Sequence, residues 1–110
     1  MLENYNIRFV PSARRDLVRM KEYILKEFKY PQYAVNFDNK IREAIVIIKN
    51  SPKSFKNTGL TYKGIDIYMK SIKSYLFFYV VEDVNISVLR VFKDRMNWEY
   101  IINLWIKENS

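Results

Sequence analysis

The sequence predicts an α+β fold in the order β-α-α-β-β-β-α. Three observations carry that reading. Between Ile65 and Lys93 stand three strand-like runs, IDIYMKS, SYLFFYVVE and NISVLRVFK, separated by short polar turns. Ahead of them lie two back-to-back segments with apolar residues at helical spacing. After them a further apolar stripe at the same spacing follows Asn97.

Taken in order, Tyr5 to Val10 alternates, with Tyr5, Ile7 and Phe9 on one side and Asn6, Arg8 and Val10 on the other, which is a short strand. Pro11-Ser12 stops it, and Ser12 is expected to cap the following helix with its hydroxyl. Ala13, Leu17, Met20, Ile24 and Phe28 make one stripe of that helix, with Arg14, Arg15, Arg19, Glu22 and Lys26 largely off it. Pro31 suits the first turn of a second helix, whose stripe is Ala34, Phe37, Ile41, Ala44 and Ile48. Helices joined this tightly are expected to form an antiparallel hairpin.

Ser51 to Gly64 holds both glycines and one of the three prolines, with Lys53, Lys56 and Lys63. It is read as a long basic loop with room for a short strand. In the meander that follows, SYLFFYVVE is apolar on both faces, so it is the expected central strand. Ser71 to Ser74 and Glu82 to Asn85 are its connections. The last helix starts near Asn97, its cap, and buries Trp98, Ile101, Ile102, Trp105 and Ile106.

The 110 residues suit one domain spanning 1–110. With 49% hydrophobic and 16% aromatic residues, a disordered polar chain is excluded. There is no cysteine, so neither disulfides nor thiolate metal sites are possible, and no histidine, which removes the commonest general base and metal ligand. No run approaches transmembrane length and MLENYNIRFV carries no leader-like apolar core, so a cytoplasmic protein without membrane contact is expected. Nineteen Lys and Arg against 12 Asp and Glu give a charge of +7, which favours an anionic partner. General solubility gives the same balance, and codon bias toward Lys, Asn, Ile and Tyr adds to it.

Three side-chain sets are candidates for chemistry. Lys70, Lys73, Arg90, Lys93 and Arg95 form a basic set on the meander and tail, able to hold phosphates or carboxylates. Scattered surface charge would give the same list, except for Arg90. A cation among Val88, Val91 and Phe92 needs a partner, an exposed face or a task. Tyr68, Tyr75, Tyr79, Trp98, Tyr100 and Trp105 form an aromatic set that could stack on bases. Core packing is the better reading for Trp98 and Trp105, which follow the helical stripe, while Tyr100 falls off it. The acidic set (Glu43, Asp66, Glu82, Asp83, Asp94 and Glu99) shows no metal or acid–base spacing. Asp94 is expected to pair with a neighbouring cation. With no phosphate loop and no nucleophile motif, a conventional hydrolase is not the expected reading and no cofactor is implied.

Several of these segments together resemble the RelE/ParE superfamily of bacterial toxins. They are the strand followed by Pro11-Ser12-Ala13-x-x-Asp16-Leu17, Ile47-Ile48 before Ser51-Pro52, and Tyr75-Leu76-Phe77-Phe78-Tyr79. Val88-Leu89-Arg90-Val91 followed by Asp94-Arg95-Met96-Asn97-Trp98 is similar to the terminal pattern of the ParE branch. The resemblance implies a small twisted, mostly antiparallel sheet with the helical hairpin on one face. It also implies the toxin half of a type II toxin–antitoxin module, in a hetero-oligomer with an acidic cognate antitoxin that masks its basic surface. Two mechanisms follow. ParE-like members inhibit DNA gyrase and are not enzymes; RelE-like members are endoribonucleases that cut mRNA on the ribosome. In the second case Arg90, Arg95 and Tyr100 are the catalytic candidates. The arginine frequent at the start of the second strand in nucleases falls near Tyr68 or Met69 and is missing. Gyrase inhibition is therefore the preferred reading, with Lys70, Lys73, Arg90, Lys93 and Arg95 meeting the target. A non-toxic partner-binding module of the same fold is the third reading.

Overall fold

The computed structural model describes residues 4–110. The expectation that the chain opens without a leader rests partly on residues 1–3, which lie outside the described residues. A short strand, β1 (Asn6–Phe9), leads into helices α1 (Pro11–Glu27) and α2 (Gln32–Asn50). After one 3-10 turn at Pro52–Ser54 come β2 (Lys56–Tyr62), β3 (Ile65–Ile72), β4 (Tyr75–Glu82) and β5 (Asn85–Lys93), and then helix α3 (Trp98–Glu108). The sheet order is β1-β5-β4-β3-β2, with β1 parallel to β5 and every other pair antiparallel.

β4 is the central strand, buried from Tyr75 to Val81 because its alternate residues enter two different cores. Tyr75, Phe77, Tyr79 and Val81 pack under the helical hairpin with Ala13, Phe37, Ala44 and Ile48. Leu76, Phe78 and Val80 face the other way, against Ile102 and Trp105 of α3. The C-terminal helix thus covers the sheet face opposite the hairpin, which closes both sides of an almost wholly apolar strand. The hairpin folds back on itself, with Lys21 of α1 paired to Asp38 of α2 at 2.9 Å.

Two sequence expectations change. The stretch from Ser51 to Gly64, read as a loop with room for a short strand, holds a full edge strand, Lys56–Tyr62, paired to β3, which adds one strand to the expected order. Its signal is faint: only Thr58, Leu60 and Tyr62 alternate as half-buried residues. The turn between β2 and β3 is Lys63-Gly64, both with positive φ (52° and 79°), the two-residue form that suits a twisted hairpin. Ser12, for its part, is not a helix cap. Val10, in extended conformation, precedes Pro11 at the first helical position, and no side chain caps the end.

Candidate functional site

Position and role of Ser12 follow from how β1 ends. β1 pairs with β5 only as far as Phe9 opposite Val88, with one more bond from the Val10 N–H to the Val88 carbonyl at 3.0 Å. Beyond that point the edge of β5 has no strand beside it, and its backbone groups need other partners. The first turns of α1 supply them from side chains. The Ser12 hydroxyl donates to the Leu89 carbonyl at 2.8 Å and accepts from the Trp105 indole N–H at 3.1 Å. The Asp16 carboxylate accepts the Val91 backbone N–H at 2.9 Å. Ser12 therefore joins α1, β5 and α3 in one place.

Asp16 does more. It accepts from Arg90 Nε at 2.7 Å and from Arg90 Nη2 at 3.0 Å, a two-pronged ion pair. The Asp16 side chain is 9% exposed and that of Arg90 23%. A bulge places Arg90 there: Phe78 pairs with Arg90 and Tyr79 with Val88, so Leu89 is an extra residue in β5. The partner that the sequence requires for Arg90 is thus a residue absent from the candidate acidic set. Its signal was present, since Asp16 lies three residues after buried Ala13 and next to Leu17, on the buried side of α1.

The other basic candidates collect at a different place. Lys70 pairs across the sheet with Phe77, and Lys93 with Tyr75, which puts both on the hairpin face at one end of the sheet. Lys73 sits in the β3–β4 turn, and the Asp94 N–H donates to the Ser74 carbonyl at 3.0 Å, tying the end of β5 to that turn. Arg95 follows in the exposed connection to α3. Aromatic rings support this end. Lys93 Nζ lies 4.7 Å from the Tyr75 ring centroid, Lys70 Nζ 4.6 Å from Phe55 and Lys56 Nζ 5.4 Å from Trp98. Lys56 is an addition that only the strand character of β2 brings in. None of these cations is in an ion pair; among the described residues the pairs are Lys21–Asp38 and Asp16–Arg90. Asp94, expected to pair with a cation, does not.

The aromatic set divides as its spacing suggests. Trp105 is buried and Trp98 half-buried beside Phe78, with ring centroids 5.6 Å apart. Tyr68 and Tyr79 stack at 5.8 Å under the hairpin, and Tyr75 meets Phe37 edge-on. The Tyr79 hydroxyl donates to the Pro52 carbonyl at 2.6 Å. Burial, and secondarily the Tyr68 hydroxyl nearby, pushes the Tyr79 phenol above the ordinary tyrosine range, so it is a fixed neutral donor. Tyr100 is 63% exposed in the first turn of α3, where Asn97 accepts the Tyr100 backbone N–H as the expected cap. No hydrogen bond or ion pair joins Arg90, Arg95 and Tyr100 among the described residues. What this end of the sheet can do is present unpaired lysines on a rigid aromatic base to an anionic surface.

The model of the family described as the ParE toxin of the type II toxin–antitoxin system parDE matches residues 7–98. Among solved structures, the chromosomal ParDE toxin–antitoxin system of P. aeruginosa superposes with a TM-score of 0.65 at 13% identity, over 82% of this chain and 96% of that one. The toxin–antitoxin complex RelBE2 of Mycobacterium tuberculosis gives 0.52 at 20% identity, over 83% of this chain and 99% of that one. At these identities the likeness is one of fold. No curated protein sequence matches the chain.

Proposed function

This chain belongs to the ParE toxin family, the toxin components of type II toxin–antitoxin systems, and we propose that it arrests bacterial growth by inhibiting DNA gyrase in the cytoplasm. A cognate acidic antitoxin neutralises it in a hetero-oligomer. The observation that carries this reading over RNA cleavage is the Asp16–Arg90 clamp. A nuclease of this type needs preorganised, unneutralised cations converging on one phosphate, with a group to take and return a proton. Here Arg90 is held by a carboxylate on its Nε and Nη2, the chain has no histidine, and Arg95 lies outside the sheet in the connection to α3. The unpaired Lys70, Lys73 and Lys93, with Arg95 beside them, instead form a contact surface for a macromolecular target. No helix among the described residues is long and apolar enough to cross a membrane.

One observation favours the second reading. Tyr100 stands 63% exposed, five residues after Arg95, where it could contribute with Arg90 and Arg95 to cleavage of ribosome-bound mRNA. Expression of the chain alone, followed by co-expression of the small protein encoded beside it, tests the shared part of both readings. Growth should stop and then resume. Harmless accumulation of folded protein in several bacterial hosts would reject both.

A further inference from the structure

A cleft of about 280 Å³ lies between α1, β5 and α3, with Arg15, Arg19, Arg90, Leu104, Trp105 and Glu108 in its lining. It shares Ser12, Arg15, Trp105 and Asn109 with a second cleft of about 380 Å³ over the α3 face of the sheet. The second has an apolar floor that includes Ile65, Val80 and Leu89, with Arg8, Lys63 and Glu82 also lining it. Together the two present five cations and three carboxylates, one of which, Asp16, is already committed to Arg90.

The arginines are prepared for a ligand. Arg15 and Arg19, four residues apart, lie on one side of α1. Neither makes an ion pair or a side-chain hydrogen bond among the described residues, although Glu108 lines the same cleft. Arg90 is oriented by Asp16 through Nε and Nη2, and its Nη1 has no partner. A guanidinium fixed on one edge offers its other edge at a low entropic cost. Beside these cations stand apolar surfaces, with Leu104 43% exposed and the Trp105 ring held against Tyr62 at 4.7 Å.

We infer that this cleft seats an acidic segment of the antitoxin, with carboxylates on Arg15 and Arg19 and a bulky apolar side chain against Leu104 and Ile65. The inference rests on the antitoxin reading above and adds a docking site away from the lysine end. A peptide fits better than a nucleic acid. Phosphates recur at every nucleotide and would meet Glu82 and Glu108, whereas a peptide places its carboxylates only opposite the arginines.

The test uses the full chain and the full-length product of the adjacent reading frame, with affinity measured by calorimetry at low salt. The variant Arg15→Glu/Arg19→Glu, shown folded by circular dichroism, should bind roughly a hundredfold more weakly, about tenfold per reversed charge, with a flatter salt dependence. Hydrogen exchange on the wild-type complex should show protection at residues 62–65 and 101–105. Unchanged affinity in the double variant, or no protection at those residues, overturns the cleft while leaving the antitoxin reading in place. Protection there by a short RNA or DNA duplex but not by the protein overturns it too. Failure of the wild-type chain to bind the adjacent product rejects both the cleft and the antitoxin reading.

Discussion

Asp16 and Arg90 join α1 to β5 by a two-pronged ion pair, at 2.7 and 3.0 Å, while the same carboxylate takes the Val91 backbone N–H at 2.9 Å. One side chain thus supplies part of what a neighbour strand would give the free edge of β5 and neutralises the arginine of that strand. Arg90→Ala leaves a carboxylate that is 9% exposed without its cation. Breaking a buried pair from one side costs about 3–5 kcal/mol. The part-exposed Arg90 side chain sets the expectation near the lower end, about 3 kcal/mol by urea denaturation. A variant as stable as wild type would show that the clamp is not structural.

Ser12 should behave as a bridge. Ser12→Ala removes a donor to the Leu89 carbonyl and an acceptor from the Trp105 indole, for a loss of about 1–2 kcal/mol. Ser12→Asp discriminates this from a capping role. Aspartate is a good cap but has no proton for the Leu89 carbonyl, so it should be at least as damaging as alanine. A stabilising Ser12→Asp would restore the cap reading.

Tyr79 makes stability depend on alkaline pH. Burial raises its folded pKa above the unfolded value, about 10 for tyrosine. A group raised on folding contributes its stability in full below the unfolded pKa and loses it as pH rises through the folded one. Above pH ~10 the unfolded state therefore sheds a proton that the folded state keeps, and stability falls. Tyr79→Phe should be less stable than wild type by about 1 kcal/mol at pH ~8, through loss of the bond to the Pro52 carbonyl. That gap should narrow by pH ~11. Parallel denaturation curves that keep the gap constant would refute this account of Tyr79.

The lysine end should carry toxicity without carrying the fold. Lys70→Glu, Lys73→Glu and Lys93→Glu together should lower growth arrest by more than tenfold in the protein level required. Stability should change by no more than about 1 kcal/mol, as exposed charges contribute little. Full toxicity of the folded triple variant would remove this surface from the target interface.

How much of this was legible in the sequence varied with the physics. The helical stripes and the doubly apolar β4 were readable because burial imposes a period on many residues at once. β2 was legible only as room for a short strand, since an edge strand buries little and Lys56, Asn57 and Gly59 break the alternation. The requirement that Arg90 be partnered was readable from its apolar neighbours. The identity of that partner was not, because Asp16 is 74 residues away and only the β5 bulge and the end of β1 bring them together. Ser12 before a helical stripe looks like a cap whether or not Pro11 begins the helix first. The lysine cluster needed strand register, which puts Lys70 and Lys93 on one face through Phe77 and Tyr75.

Gyrase inhibition is tested most directly by giving the purified chain, side by side, a gyrase supercoiling reaction and ribosomes carrying mRNA. The account predicts loss of supercoiling or accumulation of cleaved DNA, relieved by the antitoxin, with the mRNA intact. Reproducible codon-positioned cuts in ribosome-bound mRNA with gyrase unaffected, slowed by Tyr100→Phe, would contradict it and establish the nuclease reading instead.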